Sequence, residues 1–261
     1  MNTIKKFTLL LSGIWLTVLL TGCSASNGQN TGFFHHYFVE PFTQLILWTS
    51  NLFHDNYGLS IIAVTLLVRI ILLPLMLKQY KTQANMKEKM DLLKPEMDII
   101  QKKIKETKDP KDQQLLQKEM MGLYQKHGVN PLNMGCLPLL IQMPILMAFY
   151  YAIRDSHEIA THSFLWFSLG QPDIGVTLMA GIVYYLQFKV SQSTMPEAQQ
   201  QQMKYMGLLS PVMIVMVSLN APAALPLYWV IGGVFLIFQT YLGRKLYQTP
   251  KKINTANVEK A

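Results

Sequence analysis

Long stretches with almost no charged residues decide what this chain can fold into. Five of them run for roughly 15–23 residues, which is about the length that a helix needs to cross a bilayer. Only 15% of the residues are charged, whereas a soluble domain carries about 25%. The sequence therefore predicts an all-α membrane protein with five transmembrane helices. The predicted spans cover residues 57–77, 131–153, 173–190, 205–219 and 227–242.

Residues 1–22 have the pattern of a bacterial lipoprotein signal peptide. Lys5 and Lys6 form a basic start, an apolar core follows over residues 7–20, and small residues precede Cys23. We expect cleavage before Cys23 and acylation of its thiol, for example with palmitate. The acyl chains would anchor the new N-terminus at the outer face of the cell membrane. An uncleaved first helix with a chance cysteine is the alternative.

Residues 23–56 are predicted to lie outside the membrane. They begin with a polar linker, and from residue 33 apolar residues mix with polar ones, as in an amphipathic helix that lies in the membrane interface. Pro41 fits the first turn of such a helix. A helix in the core of a soluble domain is the alternative, but the neighbouring sequence offers no such domain.

Residues 78–127 have a different character, with 12 lysines and 8 acidic residues. Apolar residues recur there at spacings of four and three, which predicts a narrow apolar seam on a helix. A proline-containing break at residues 108–112 precedes a second helix, so we predict a helical hairpin that projects from the membrane. The apolar residues are Met86, Met90, Leu93, Met97, Ile100 and Ile104 in the first helix, and Leu115, Leu116, Met120, Leu123 and Tyr124 in the second.

The distribution of lysine and arginine predicts the orientation in the membrane. With an external N-terminus and five spans, the hairpin of residues 78–127, the loop of residues 189–204 and the basic tail of residues 243–261 are cytoplasmic. These segments hold nearly all the basic residues of the mature chain, as the positive-inside rule requires. The net charge of +8 is thereby explained without a specific nucleic-acid partner. Aromatic residues do not interleave the hairpin lysines as a base-stacking surface would need.

One arginine lies deep in the first predicted span. Arg69 precedes Lys78 by nine residues, or roughly 13 Å of helix, and a guanidinium left in lipid at that depth is costly. The carboxylates outside the hairpin all lie at the edges of predicted spans, in loops or in the tail, so water, polar side chains or a visiting ligand must meet the charge. Thr65, Gln142 and Gln187 are candidates to line the resulting wet cavity. The alternative is a structural role in which Arg69 bonds the backbone carbonyls of a proline-broken helix.

The sequence shows no set of residues for enzymatic or metal chemistry. The predicted spans hold no aspartate or histidine at membrane depth, as intramembrane proteolysis would need, and the chain has no phosphate-binding glycine motif. The histidines form no convincing metal-ligand set, so we expect no metal and no cofactor. A small-solute transporter or channel and a purely structural assembly factor remain as rival classes.

Three motifs, in this order, resemble those of the YidC-type membrane protein insertases (the YidC/Oxa/Alb family). The motifs are Thr65-Leu66-Leu67-Val68-Arg69-Ile70-Ile71-Leu72-Leu73-Pro74-Leu75 followed by Gln79, Gly135-Cys136-Leu137-Pro138 with Gln142-Met143-Pro144-Ile145, and Pro226-Leu227-Tyr228-Trp229. The basic hairpin also fits the family. The lipoprotein-type N-terminus resembles the short form found in bacteria with a single membrane.

The resemblance implies five spans around a hydrophilic groove that is open to the cytoplasm and to lipid and closed on the outside. The groove arginine maps to Arg69, and other groove-lining positions map to Gln187 and Trp229. The resemblance also implies insertion of nascent membrane proteins, with the hairpin receiving the client and the tail contacting ribosomes or the Sec translocon. We therefore expect an insertase and chaperone in the lipid bilayer, not an enzyme, in which Arg69 attracts acidic residues of a client's external tail.

Overall fold

A computed structural model describes residues 32–107, 109–128, 136–195 and 197–247, and these are almost entirely helical. Cys23 and the predicted signal peptide lie outside the described residues. A π-helical turn, His35–Val39, leads into the first α-helix. The helices are α1 Glu40–Leu52, α2 Tyr57–Glu106, α3 Pro110–Lys126, α4 Cys136–Asp155, α5 His157–Thr161, α6 Ile174–Gln192, α7 Glu197–Ser218 and α8 Ala224–Tyr247. The strands β1 Ser163–Phe164 and β2 Phe167–Ser168 form one antiparallel hairpin.

Helix α2 is the longest element, with 50 residues and a length of about 75 Å. Its start is capped by Asn56, whose side chain accepts a hydrogen bond from the backbone N–H of Leu59 at 3.0 Å. The predicted first span and the first helix of the predicted hairpin are therefore one continuous helix. Pro74 lies inside it without ending it. The hairpin thus extends from the first span without a flexible joint.

The second arm of the hairpin, α3, packs against the apolar seam of α2. Asp109 caps α3 by accepting a hydrogen bond from the N–H of Lys111, and Pro110 occupies its first turn. Leu123 and Tyr124 pack on the seam, and burial raises the pKa of the Tyr124 phenol. The buried seam residues of α2 are Met86, Met90, Leu93, Met97 and Ile100.

By length and composition, three of the described helices can cross a membrane, namely α2, α6 and α8. A further apolar stretch, Gly207–Ser218, is shorter and lies in α7. On α6, the side chains of Ile174, Leu178 and Ile182 follow one another at intervals of four residues and are all exposed, as on a helix that faces lipid. Three candidate membrane-crossing helices thus agree with a multi-spanning membrane protein, and the number of five spans stays a prediction.

Helix α8 is the centre of the bundle. It packs against α2 on one side and α6 on the other, and α6 packs in turn against α7. Glycine allows these close approaches: a methyl group at Gly233 would lie 2.6 Å from Val183, and one at Gly243 would lie 2.6 Å from Tyr80. Small residues are common where membrane helices pack closely, because they let the backbones approach.

The connections at the start of α2 cover one end of the bundle. Phe164 of β1 packs against Gly58, and the link between α7 and α8 is joined to the preceding loop by Ala223 N–H donating to the carbonyl of Gln171 at 2.9 Å. Phe149, Ile153 and Ile159 are fully buried there. The opposite end of α2 carries the hairpin, so the two ends of the bundle differ in character.

The base of the hairpin is fixed to the other helices. Lys87 Nζ donates to the backbone carbonyl of Ser193 at 3.2 Å, and Arg244 Nη1 donates to Ser193 Oγ at 3.1 Å. Tyr80 packs against Gly243, and burial raises the pKa of its phenol. The hairpin, the loop between α6 and α7 and the end of α8 therefore meet at one place.

Candidate functional site

The guanidinium of Arg69 lies against the backbone of α8. A methyl group on Gly232 would lie 2.9 Å from Arg69 Nη2, 3.5 Å from Nε and 3.6 Å from Cζ. Arg69 is half-buried, so its side chain is partly enclosed by the helix bundle. The charge is thus placed at the contact between α2 and α8.

Tyr228 connects this arginine to a third helix. Its hydroxyl oxygen accepts a hydrogen bond from Gln142 Nε2 on α4 at 2.5 Å, and the Arg69 guanidinium lies near enough to interact electrostatically with it. Its ring stacks on Phe149, with centroids 4.6 Å apart and planes at 28°. The ring of Tyr184, on α6, is near enough to interact electrostatically with Arg69. One polar cluster therefore joins α2, α4 and α8.

The ion pairs among the described residues do not include Arg69. They include the pairs of His36 with Glu40, Lys102 with Glu106 and Arg154 with Asp155, all at exposed positions away from the bundle interior. Within the described ranges, no group of three or more histidine, cysteine or acidic side chains is close enough to hold a metal ion. The polar cluster can therefore supply a permanent positive charge with hydrogen-bond donors to an anionic group.

Two residues predicted to line the cavity make local bonds within their own helices. Thr65, which is 1% exposed, donates from Oγ1 to the carbonyl of Ile61 at 2.6 Å. Gln187 is half-buried and donates from Nε2 to Ser191 Oγ at 2.8 Å. The structure brings Gln142 into the cluster with Arg69, and Thr65 lies one helical turn before Arg69. A contact of these side chains with a client stays a prediction.

Trp229 lies beside Tyr228 in the sequence but faces a different space. It is 6% exposed and lines a cavity of about 430 Å³ between α4, α7 and α8. The walls of the cavity are mostly apolar and are formed by residues that include Leu146, Tyr150, Met216, Asn220 and Leu225. Two consecutive residues of α8 therefore face different surroundings: Tyr228 belongs to the polar cluster, and Trp229 lines the apolar cavity.

The sequence comparisons match most of this chain to one family. The family model described as 60Kd inner membrane protein covers residues 48–251. This chain is a member of that family, the family of the YidC-type insertases. The resemblance seen in the three sequence motifs is thereby confirmed.

Curated relatives in this YidC-type family match along nearly their whole length. The chain is 51% identical to the membrane protein insertase YidC 2 of Listeria monocytogenes over 246 residues, which are 93% of this chain and 90% of that protein. It is 50% identical to the membrane protein insertase MisCB of Bacillus subtilis, with 94% of each chain covered. A family made of inner-membrane proteins agrees with the spans of α2, α6 and α8.

The fold also matches a solved structure of the YidC-type family. An active YidC insertase crystal structure, with its first transmembrane domain resolved, aligns with a TM-score of 0.56 and 29% identity. The match covers 78% of this chain but 46% of that chain, so the present protein spans about half of its length. Helical architecture is therefore shared with a YidC protein of greater length.

Sequence reasoning missed two residues of the site in this YidC-type chain, Tyr228 and Gly232. Tyr228 stands in one of the motifs that carry the family resemblance, but its neighbour Trp229 was the residue that was assigned to the groove. Gly232 follows Tyr228 by four residues, which places both on one face of α8. That spacing was a usable signal, since both positions then face whatever packs against that side of the helix.

Proposed function

We propose that this protein is a membrane protein insertase and chaperone whose half-buried Arg69 receives the acidic external tail of a client. One observation carries the proposal: Arg69 is held between Tyr228 and Gly232, and none of the described ion pairs neutralises it. A positive charge kept at such a position needs an external partner. The names of the relatives, all membrane protein insertases, support the general role.

Electrostatic attraction, the membrane potential and the burial of apolar surface then act in turn on the inserting client. A client carboxylate about 4 Å from the guanidinium gains about 4 kcal/mol at an effective dielectric constant near 20. The membrane potential favours the further outward movement of the negative charge. The apolar span of the client leaves sideways into lipid, because burial of its surface away from water is favourable. The apolar cavity beside Trp229 is a suitable surface for that span.

The topology that we propose has five spans, with α4 and α7 added to the three helices of sufficient length. The N-terminus, anchored through acylated Cys23, lies outside, and the C-terminal tail lies in the cytoplasm of the cell. The hairpin of α2 and α3 receives clients, and the basic tail meets ribosomes or the Sec translocon. Gln142, Gln187 and Thr65 complete the polar lining around Arg69 in this arrangement.

The test replaces Arg69 in the full chain. With Arg69→Ala, insertion of a single-span client with an acidic tail should fall at least about tenfold, because an attraction worth several kcal/mol is lost. Arg69→Lys keeps the charge and should retain insertion within about twofold. Insertion is measured in proteoliposomes by protection of the client tail from added protease.

Arg154→Ala serves as the matched control, because Arg154 is an exposed arginine that is already paired with Asp155 at 2.9 Å. It should insert the same client normally. Normal insertion by Arg69→Ala would refute the electrostatic mechanism and favour an assembly factor that holds complexes without inserting clients.

A further inference from the structure

We propose that Gly232 is a positioning residue, whose missing side chain fixes where the guanidinium of Arg69 lies. The inference rests on the proposed function, in which Arg69 receives a client carboxylate. It assigns to α8 a task beyond packing, which is to hold the charged group of another helix in one orientation.

The first support is steric. Three guanidinium atoms of Arg69 lie within 4 Å of the point where a Cβ at position 232 would stand, and the nearest is Nη2 at 2.9 Å. Non-bonded atoms prefer separations of about 3.5–4.0 Å, so a methyl group there would displace the end of the arginine side chain. The flexible side chain can move at small cost, which means that the helix would persist while the guanidinium shifted.

The second support is the neighbouring anchor. Tyr228 lies one helical turn before Gly232 on the same face of α8, and its hydroxyl lies near enough to Arg69 to interact electrostatically with the guanidinium. The guanidinium thus meets two neighbouring turns of α8, near the Tyr228 hydroxyl and beside Gly232. A displacement at Gly232 would move the guanidinium relative to the Tyr228 hydroxyl and so change which of its N–H groups face the polar cluster.

The backbone gives no other reason for glycine at this position. Among the described glycines only Gly128 has a positive φ, so Gly232 has ordinary helical geometry that alanine also adopts. Glycine in a helix interior is less favourable than alanine by about 0.5–1 kcal/mol. At Gly232 this free-energy cost is offset by the space that the missing side chain leaves for the Arg69 guanidinium.

Gly233 makes the contrast clear. A methyl group on Gly233 would meet Val183 at 2.6 Å and the ring of Tyr184 at 3.3 Å, both on α6. Gly233 therefore allows one helix to pack on another, whereas Gly232 accommodates a charged side chain. The adjacent glycines of α8 have separate tasks, and Gly233 is a matched control.

Orientation matters because a guanidinium donates its hydrogen bonds in a fixed planar fork. A rotation or shift changes which N–H groups a client carboxylate can reach, although the charge itself is unchanged. Lysine lacks the branched end, and its ammonium is a compact charge with freely rotating donors. If a substitution of Gly232 acts through the orientation of the guanidinium, its effect on insertion should therefore vanish when lysine replaces Arg69.

The experiment combines Gly232→Ala and Gly233→Ala, each alone and with Arg69→Lys, in the full chain reconstituted into proteoliposomes. The probe is the single-span client with an acidic tail. Gly232→Ala alone should lower the insertion rate about tenfold, the loss expected for a hydrogen bond to a charged group. Together with Arg69→Lys it should cause less than about a twofold further change, because the lysine ammonium has freely rotating donors and no planar fork that a methyl group at position 232 could misalign. Gly233→Ala should have the same effect in both backgrounds.

Equal losses from Gly232→Ala in the two backgrounds, or no loss in either, would overturn the inference. If Gly232→Ala fails to accumulate in membranes, recovery of its level by Arg69→Lys would support the contact, and no recovery would refute it. Arg69→Ala is measured beside these variants. If Arg69→Ala inserts the client normally, the proposed function itself is refuted. If Arg69→Ala loses insertion but Gly232→Ala inserts normally, only the role of Gly232 is refuted.

Discussion

At the scale of single residues, Tyr228 is the group on which the polar cluster depends. Its oxygen accepts a hydrogen bond from Gln142 and lies near the Arg69 guanidinium, so its own hydrogen is available to a further acceptor. A client carboxylate is an acceptor of the right kind. Tyr228 is therefore expected to contribute to binding as well as to hold the arginine.

Tyr228→Phe should keep the fold and weaken the function. The ring would still stack on Phe149, but Gln142 would lose its hydrogen-bond acceptor, at a cost of about 1–3 kcal/mol, and Arg69 would lose a polar neighbour. We expect the insertion rate to fall about fivefold to tenfold, measured with the acidic-tail client in proteoliposomes. The control is Tyr185→Phe, because Tyr185 is 42% exposed on α6. Equal insertion by the two variants would contradict the role of the Tyr228 hydroxyl.

The sequence predicted that the deep charge of Arg69 has no carboxylate partner, but it did not predict which residues surround the guanidinium. A deep arginine and the absence of intramembrane carboxylates are visible in the residues themselves. Tyr228 and Gly232 meet Arg69 only because α2 and α8 pack in one particular rotation about their axes, and that rotation depends on contacts between distant segments. Polar residues near Arg69 were therefore easy to nominate, whereas their actual hydrogen bonds needed the structure.

At the scale of elements, periodicity predicted the hairpin seam well and its partner face less well. Residues 86, 90, 93, 97 and 100 of α2 are all buried, as their spacing of four and three indicated. On α3, Leu115 is 62% exposed, while Leu123 and Tyr124 pack on the seam. A short helix with apolar residues at consecutive positions, as at 115 and 116, cannot bury both faces against one neighbour.

Met97→Ala tests whether the seam holds the two arms together. Met97 is 2% exposed, and truncation of a buried methionine costs about 2 kcal/mol or more. Hydrogen exchange of the α3 amides in the purified protein should therefore speed up at least about tenfold. Leu92→Ala is the control, since Leu92 is 76% exposed on the same helix. Similar exchange in both variants would show that the seam does not stabilise the hairpin.

At the scale of the whole molecule, α8 separates two kinds of environment. Tyr228 faces the charged cluster with Arg69, and Trp229, the next residue, faces the apolar cavity toward α4 and α7. Successive residues of a helix point about 100° apart, so one helix can serve both. A client with a polar tail and an apolar span carries the same two chemistries side by side. The match between these two surroundings and the two parts of a client arises from the packing of several helices, and no single sequence motif predicts it.

The orientation of that bundle decides which way a client moves, and it can be measured directly. The hairpin region holds 12 lysines, whereas residues 154–172 hold one arginine and two acids, so the positive-inside rule predicts a cytoplasmic hairpin. Ser163 on β1 and Gln125 on α3 are exposed at opposite ends. In a Cys136→Ser background, a membrane-impermeant maleimide should label Ser163→Cys in intact cells. It should label Gln125→Cys only after the cells are permeabilised, with the parent chain as the baseline. Labelling of Gln125→Cys in intact cells would show that the hairpin lies outside the cell. That result would contradict the proposed topology and the outward direction of client insertion.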